Sequence, residues 1–151
     1  MDEGIFENVL AEVINRMEGT SFPDIFFENL LKRLESYDYD LQEGDAWEIA
    51  FCATKVENHI KTICNVAAVP ERLQQIAIDR ICGSFFGARF ASGQLSIGSI
   101  DLGGGISQIK EGDTSVSFSG ADSESGRFSA MLEALANSGD GDLLCYRKLL
   151  W

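Results

Sequence analysis

The chain has few of the side chains from which catalytic and metal centres are usually built. Its only histidine is His59, and its four cysteines, Cys52, Cys64, Cys82 and Cys145, are 12, 18 and 63 residues apart. These spacings match neither a zinc-binding pattern nor a small disulfide-rich scaffold, and no Cys or acid stands at ligand spacing from the histidine. We therefore expect a histidine on a helix surface, buried free thiols, no metal or other cofactor, and a protein that is not an enzyme.

A triple glycine and many acids leave that expectation unchanged. Gly103-Gly-Gly105 could cradle a phosphate, but no Gly-Lys-Ser or Gly-Lys-Thr follows it. A hydrolase with paired carboxylates would need two acids in one apolar cleft, and the sequence does not reveal such a cleft.

Long apolar runs and clustered basic residues are also missing. No segment approaches the 18 apolar residues of a membrane span, and Met1-Asp-Glu-Gly4 lacks the basic residues that begin a signal peptide. The chain carries 24 Asp and Glu against 12 Lys and Arg, and residues 1–48 hold 13 of those acids and only 3 bases. We expect a cytosolic protein with no membrane span and no tight nucleic-acid binding, because the latter needs clustered bases. Solvated helix faces explain the acids more simply than mimicry of DNA by an inhibitor.

Apolar residues at helical spacing predict two helices in the first 37 residues. We expect Gly19 just past the end of the first helix, Ser21 as the cap of the second, and Pro23 and Asp24 in its first turn. The stripe of the first helix comprises Phe6, Leu10, Val13 and Met17. The stripe of the second comprises Phe22, Phe26, Leu30, Leu34 and Tyr37.

Two longer helices are predicted after a loop at residues 37–44. Asp45 and Glu48 have the spacing of a capping box at the start of the third helix, and Asn65 is its natural C-cap. Pro70 suits the first turn of a fourth helix that extends to Phe90, which we expect at the centre of the core because it is apolar around most of its circumference. The third stripe comprises Ile49, Ala53, Val56, Ile60 and Ile63. The fourth comprises Leu73, Ile76, Ile78, Ile81, Cys82, Phe85 and Phe86.

Residues 92–126 change composition sharply, with 8 Gly and 9 Ser among 35 residues, which disfavours a helix. Thr114 to Phe118 alternates polar and apolar residues, and Glu111-Gly-Asp113 can turn the chain back toward Ser107 to Lys110. A long loop or β-hairpin that contacts a neighbouring molecule is expected. Its contacting residues would be Ile109, Lys110, Val116 and Phe118.

The C-terminal part is predicted to hold one more helix and a terminal arm. Asp122 or Ser123 would cap the helix, and Gly139-Asp-Gly141 would separate it from the arm. The helix stripe comprises Phe128, Met131, Leu132 and Leu135. The arm combines apolar and aromatic residues with bases, namely Leu143, Tyr146, Arg147, Lys148, Leu150 and Trp151. Because Trp, Tyr and Arg anchor interfaces, the arm either binds a partner or packs on the domain's own core.

The whole chain is expected to form one mainly α domain, a small helical bundle with a long Gly/Ser-rich loop or β-hairpin insertion and a C-terminal arm. Its parts are an N-terminal helix at 1–20, a helical core at 21–91, the loop or hairpin at 92–121, and C-terminal helices with the arm at 122–151.

Four segments, in order and spacing, resemble the head-tail connector proteins, also called head completion or neck adaptor proteins, of tailed bacteriophages and prophages of Gram-positive bacteria. The resemblance covers about residues 28–151 and leaves the first helix outside it. The segments are Val56-Glu-Asn-His-Ile-Lys-Thr-Ile-Cys-Asn65, Val69-Pro-Glu-Arg-Leu73, Ile109-Lys-Glu-Gly-Asp-Thr-Ser-Val-Ser-Phe118 and Tyr146-Arg-Lys-Leu-Leu-Trp151.

The resemblance implies a small helical protein without catalytic activity that assembles with copies of itself as a ring under the phage portal protein. It would lie in the virion neck, after assembly in the cytoplasm of the bacterial host, and would contact a downstream neck or tail-completion protein. The arm would dock onto the portal or the next neck protein, and the loop would contact the neighbouring subunit. An acidic cytosolic adaptor or inhibitor that binds one partner remains the alternative.

Overall fold

Helices dominate the part of the chain that the computed structural model describes, which is residues 3–93, 124–145 and 147. They are α1 (Glu3–Arg16), α2 (Asp24–Glu35), α3 (Asp45–Cys64), α4 (Gln74–Ala91), α5 (Glu124–Ala136) and α6 (Asp140–Cys145), with a 3-10 turn at Glu71–Leu73 before α4. No strand occurs within these ranges, so the mainly helical fold is confirmed. The expected hairpin with Ile109, Lys110, Val116 and Phe118, and the triple glycine, lie outside the described residues.

Helix α4 lies at the centre of the described helices, as its apolar circumference predicts. It packs against α2, α3 and α5, and its side chains at Ile81, Phe85 and Phe86 are fully buried. A helix that is apolar on nearly all sides must be covered on nearly all sides. Pro70 precedes the 3-10 turn and therefore stands outside α4 rather than in its first turn.

Helices α1 to α4 form a four-membered arrangement. α1 and α4 each pack against both α2 and α3, whereas α2 and α3 are not a major packing pair. α2 and α3 are therefore diagonal neighbours, and their outer faces point to opposite sides of the bundle.

The start of α2 differs from the prediction. Ser21 does not cap the helix, which begins at Asp24 with Pro23 at the N-cap position and no side-chain cap. The hydroxyl of Ser21 instead donates to Glu57 on α3, and its oxygen accepts a hydrogen bond from the Val69 backbone N–H at 3.3 Å. The predicted stripe from Phe22 to Tyr37 is buried throughout.

The capping box predicted for α3 is also wrong. Asp45 is the first residue of the helix, Gly44 holds the N-cap position, and no side-chain cap forms. The Asp45 carboxylate is buried and bound to groups of other segments, which removes it from capping. The other end agrees with the sequence, since Asn65 takes the left-handed conformation, with φ of 53°, that ends the helix.

The C-terminal helices require one further correction. Gly139, with φ of 70°, separates α5 from α6, but Asp140 and Gly141 belong to α6 rather than to a linker. Phe128, Met131 and Leu135 of α5 are buried as predicted. The predicted caps at Asp122 and Ser123 lie outside the described residues.

Candidate interaction surface

Helix α6, which precedes the last residues of the predicted C-terminal arm, is fixed to the helical core. Leu143 on α6 is 1% exposed, and the thiol of Cys64, at the end of α3, donates to the Leu143 carbonyl oxygen at 3.2 Å. α6 therefore packs against the C-terminal end of α3.

Arg80 of α4 fixes the preceding turn. Its side chain is 7% exposed, its Nε donates to the Ser138 carbonyl oxygen at 2.9 Å, and its guanidinium pairs with Asp140. Gly139 lies against Ile76, where an added Cβ would meet the Ile76 side chain at 2.5 Å. A side chain at position 139 would therefore displace Ile76, and the positive φ at this turn also favours glycine.

The predicted arm residues are separated by this packing. Leu143 serves the protein's own core, so its side chain offers no surface to a partner. Arg147 is exposed, and Tyr146, Lys148, Leu150 and Trp151 lie outside the described residues. Leu144, which was not among the predicted contacts, is 62% exposed.

An exposed aromatic pair on α3 is a second surface, and the sequence reasoning missed it. Trp47 and Phe51 are each 55% exposed, and their rings stack with centroids 5.4 Å apart and planes at 15°. Trp is one of the side chains enriched among the residues that carry binding energy near the centres of protein interfaces. This pair, called here the α3 aromatic pair, is therefore a candidate contact site.

Two grooves meet at Trp47. The first, of about 420 Å³, has two charged side chains, and both are basic. Its lining residues are Arg16, Trp47, Ala50, Phe51, Thr54, Lys55 and Asn58. The second, of about 370 Å³, adds the acids Glu12 and Glu43 to Arg16, and Glu12 pairs with Arg16 at 2.7 Å. Because Glu12 compensates the charge of Arg16, the positive charge of the first groove comes from Lys55, on a chain with a net charge of -12.

The α3 aromatic pair could have been predicted from a helical projection of α3. At 100° per residue, Trp47 and Phe51 lie about 160° to 200° from Ile49, which is the middle of the buried stripe. Two large aromatic residues one turn apart on the face opposite the core are more than half exposed, and among the ring contacts of the described residues each stacks only on the other.

Two buried carboxylates hold the bundle together and are not free for chemistry. Asp45 pairs with Arg89 of α4 and accepts hydrogen bonds from the Tyr39 hydroxyl and the Gln42 backbone N–H, both at 2.9 Å. Burial, together with the Asp45 carboxylate, raises the pKa of Tyr39. Glu57 accepts hydrogen bonds from the Thr20 and Ser21 hydroxyls and from the Ser21 N–H.

The residues considered for chemistry are placed as expected within the described ranges. His59 is exposed on α3, and Cys52, Cys64 and Cys82 are buried and free, while the side chain of Cys145 is outside them. No group of three metal-binding side chains occurs in the described part of the chain. None of its helices is long and apolar enough to cross a membrane.

Comparison with known proteins yields no matching family model, no matching curated protein and no matching solved structure.

Proposed function

We propose that the protein is a structural adaptor of the head-tail connector type, which forms a ring beneath the portal in a phage neck and acts by protein-protein binding. The observation that carries the proposal is the fixed start of the C-terminal arm. Leu143, Cys64 and the Arg80–Asp140 pair hold α6 on the core, so the residue that precedes the basic-aromatic segment 146–151 has a defined position.

A defined starting position matters for an adaptor. A segment that is held at its base loses less conformational freedom on binding than a free tail does, and its anchors meet the partner in one orientation. The four segments that resemble connector proteins support the neck as the place of action, because the last of them is this arm. Tyr146, Arg147 and Trp151 are then the contacts to the portal or the next neck protein.

Deletion of residues 146–151 tests the proposal. We expect the melting temperature to stay within a few degrees of the full chain, because the buried anchor Leu143 remains, whereas binding to the portal protein of the same genome should fall about 30-fold or more on loss of the anchors. The matched control is Leu144→Gln, which changes an exposed apolar residue next to the arm and should keep portal binding.

Two results would contradict the proposal. Unchanged portal binding would show that the arm is not the docking element, and a strongly lowered melting temperature would show that residues 146–151 pack on the protein's own core. Electron microscopy of the protein mixed with its portal separates the alternative function, since an acidic adaptor or inhibitor would bind one partner without adding a ring.

A further inference from the structure

We propose that the α3 aromatic pair binds the start of helix α2 of a second copy of this chain, so that copies join head to tail. The proposal rests on the proposed function, since it names a contact between ring subunits, in addition to the one expected of the loop at 92–121. It places the contact on α2 and α3, within the described residues, rather than on the C-terminal arm.

The first reason is that the chain carries a matching patch for its own groove. Ile25 on α2 is 55% exposed, and it lies opposite the buried face formed by Phe26, Phe27 and Leu30. Together with Pro23 and Asp24, which are also exposed, it forms an apolar and acidic patch, called here the α2 patch. An exposed apolar side chain of this size can enter a groove of about 420 Å³ lined by Trp47 and Phe51.

The second reason is charge. The groove beside the α3 aromatic pair has Arg16 and Lys55 as its charged residues, of which Arg16 is paired with Glu12. The α2 patch has Asp24 next to Ile25, and Glu28 lies one turn further along. Lys32 also lies along this side of α2, where it pairs with Glu28 at 2.6 Å. Asp24 is therefore the acid best placed to meet Lys55, since complementary potentials favour this pairing of patches over either patch with itself.

The third reason is direction. α2 and α3 are diagonal in the four-helix arrangement, so the two patches face opposite sides of one copy and cannot meet within it. A contact between two different patches of the same chain is heterologous, and such contacts generate rings when the rotation closes. Two copies joined this way leave one patch of each kind open for the next copy.

Charge reversal tests the contact in the full-length protein by sedimentation velocity over a concentration series. Lys55→Glu and Asp24→Lys should each raise the dissociation constant for self-association about tenfold or more, because like charges then face each other. A one-to-one mixture of the two variants should restore association. In the mixture, Glu at position 55 of one variant faces Lys at position 24 of the other, and the unchanged Lys55 of the second faces the unchanged Asp24 of the first. The double variant should restore it as well.

Apolar substitutions provide the second arm of the test. Trp47→Gln should weaken association about 30-fold or more, as expected for a buried interface anchor. Leu144→Gln and Glu133→Lys change an exposed apolar residue and an exposed acid on α6 and α5, so both should associate like the wild type. Thermal melting confirms that each variant is folded.

Several outcomes would overturn the proposal: a wild type that stays monomeric up to about 1 mM, charge-reversal variants that associate normally, or a mixture that is no better than its components. The protein lacking residues 146–151 should still self-associate. If the deletion leaves portal binding intact while the charge-reversal variants still rescue each other, only the proposal for the arm fails. If the deletion abolishes portal binding as expected while the rescue fails, only the contact proposed here fails.

Discussion

At the scale of single residues, Glu57 of α3 binds the turn between α1 and α2 and so holds this turn against α3. Its side chain is 7% exposed and lies 3.7 Å from Lys61, and one of its oxygens accepts three hydrogen bonds, of 2.9, 2.8 and 2.6 Å, from Thr20 and Ser21. Burial alone raises the pKa of this carboxyl, but the hydrogen bonds from Ser21 and Thr20 and the charge of Lys61 outweigh it. The pKa of Glu57 is therefore lowered in the folded protein.

A lowered folded-state pKa makes the stability from Glu57 dependent on pH. This contribution is fully present above the unfolded-state pKa of about 4.3 and is lost as the pH falls through the lower folded-state pKa. We expect Glu57→Gln to reduce the free energy of unfolding by about 1.5 kcal/mol at neutral pH, and by less near pH 3. Urea unfolding at both pH values measures the difference. A loss that is equal at both, or an equal loss in the exposed control Glu71→Gln, would contradict this account of Glu57.

The buried cysteines lead to a second prediction at this scale. Burial, with the nearby Glu48 carboxylate, raises the pKa of Cys52 to about 12, and burial also raises the pKa values of Cys64 and Cys82. Because the thiolate is the reactive form, these three thiols should resist alkylation in the native protein at pH 8. Mass spectrometry should find all four cysteines alkylated once the protein is denatured without reductant. A site that stays unmodified after denaturation would indicate a disulfide.

At the scale of elements, α4 and α5 lie closer together at Gly83 than at Gly87. An added Cβ there would lie 2.8 Å from the Leu135 Cβ and 3.4 Å from the Ala136 backbone nitrogen, whereas at Gly87 the nearest atom would be a Leu132 methyl carbon at 4.0 Å. The absence of a side chain at position 83 thus sets the distance between the two helices.

This difference makes Gly83→Ala and Gly87→Ala a matched pair. Alanine favours a helix over glycine by about 1 kcal/mol, so Gly87→Ala should stabilise the protein by up to that amount. Gly83→Ala should instead destabilise it by about 1 to 3 kcal/mol, because α5 must move away. Thermal or urea unfolding of both variants gives the comparison, and equal effects would show that α4 and α5 are not in close contact.

The sequence predicted the helices well and their first residues poorly. Each of α1 to α5 buries apolar residues that recur at helical spacing, and this spacing is visible within the segment itself. The helices can therefore be predicted without knowing what they pack against. Capping at Ser21 and Asp45 failed because the same side chains accept or donate hydrogen bonds across the fold, to Glu57 and Arg89. Such long-range partners leave no local pattern, and a local capping rule therefore assigned these polar groups to the wrong contacts.

At the scale of the whole molecule, the candidate interaction surfaces were only partly predictable. The arm was predicted from its composition, but the division between buried Leu143 and exposed Leu144 depends on where α6 meets Cys64. The α3 aromatic pair was recognisable from its position opposite the stripe of α3. Its relation to Ile25, however, depends on the diagonal placement of α2 and α3, which follows from the packing of all four helices.

The packing of α1 leads to the last prediction. The resemblance to connector proteins leaves α1 outside the shared part, yet Val9, Val13 and Met17 are 1%, 0% and 5% exposed in the core, and α1 packs against α2 and α3. Burial of three such side chains contributes on the order of 6 kcal/mol, which is comparable with the whole stability of a domain.

Deletion of residues 1–19 should therefore unfold the protein, as judged by circular dichroism and melting. Val13→Asp should reproduce much of this loss and the exposed Asn15→Asp should not, since both add the same charge to α1. A truncated protein with the melting temperature of the full chain would show that α1 is not needed for stability. The core would then begin at α2.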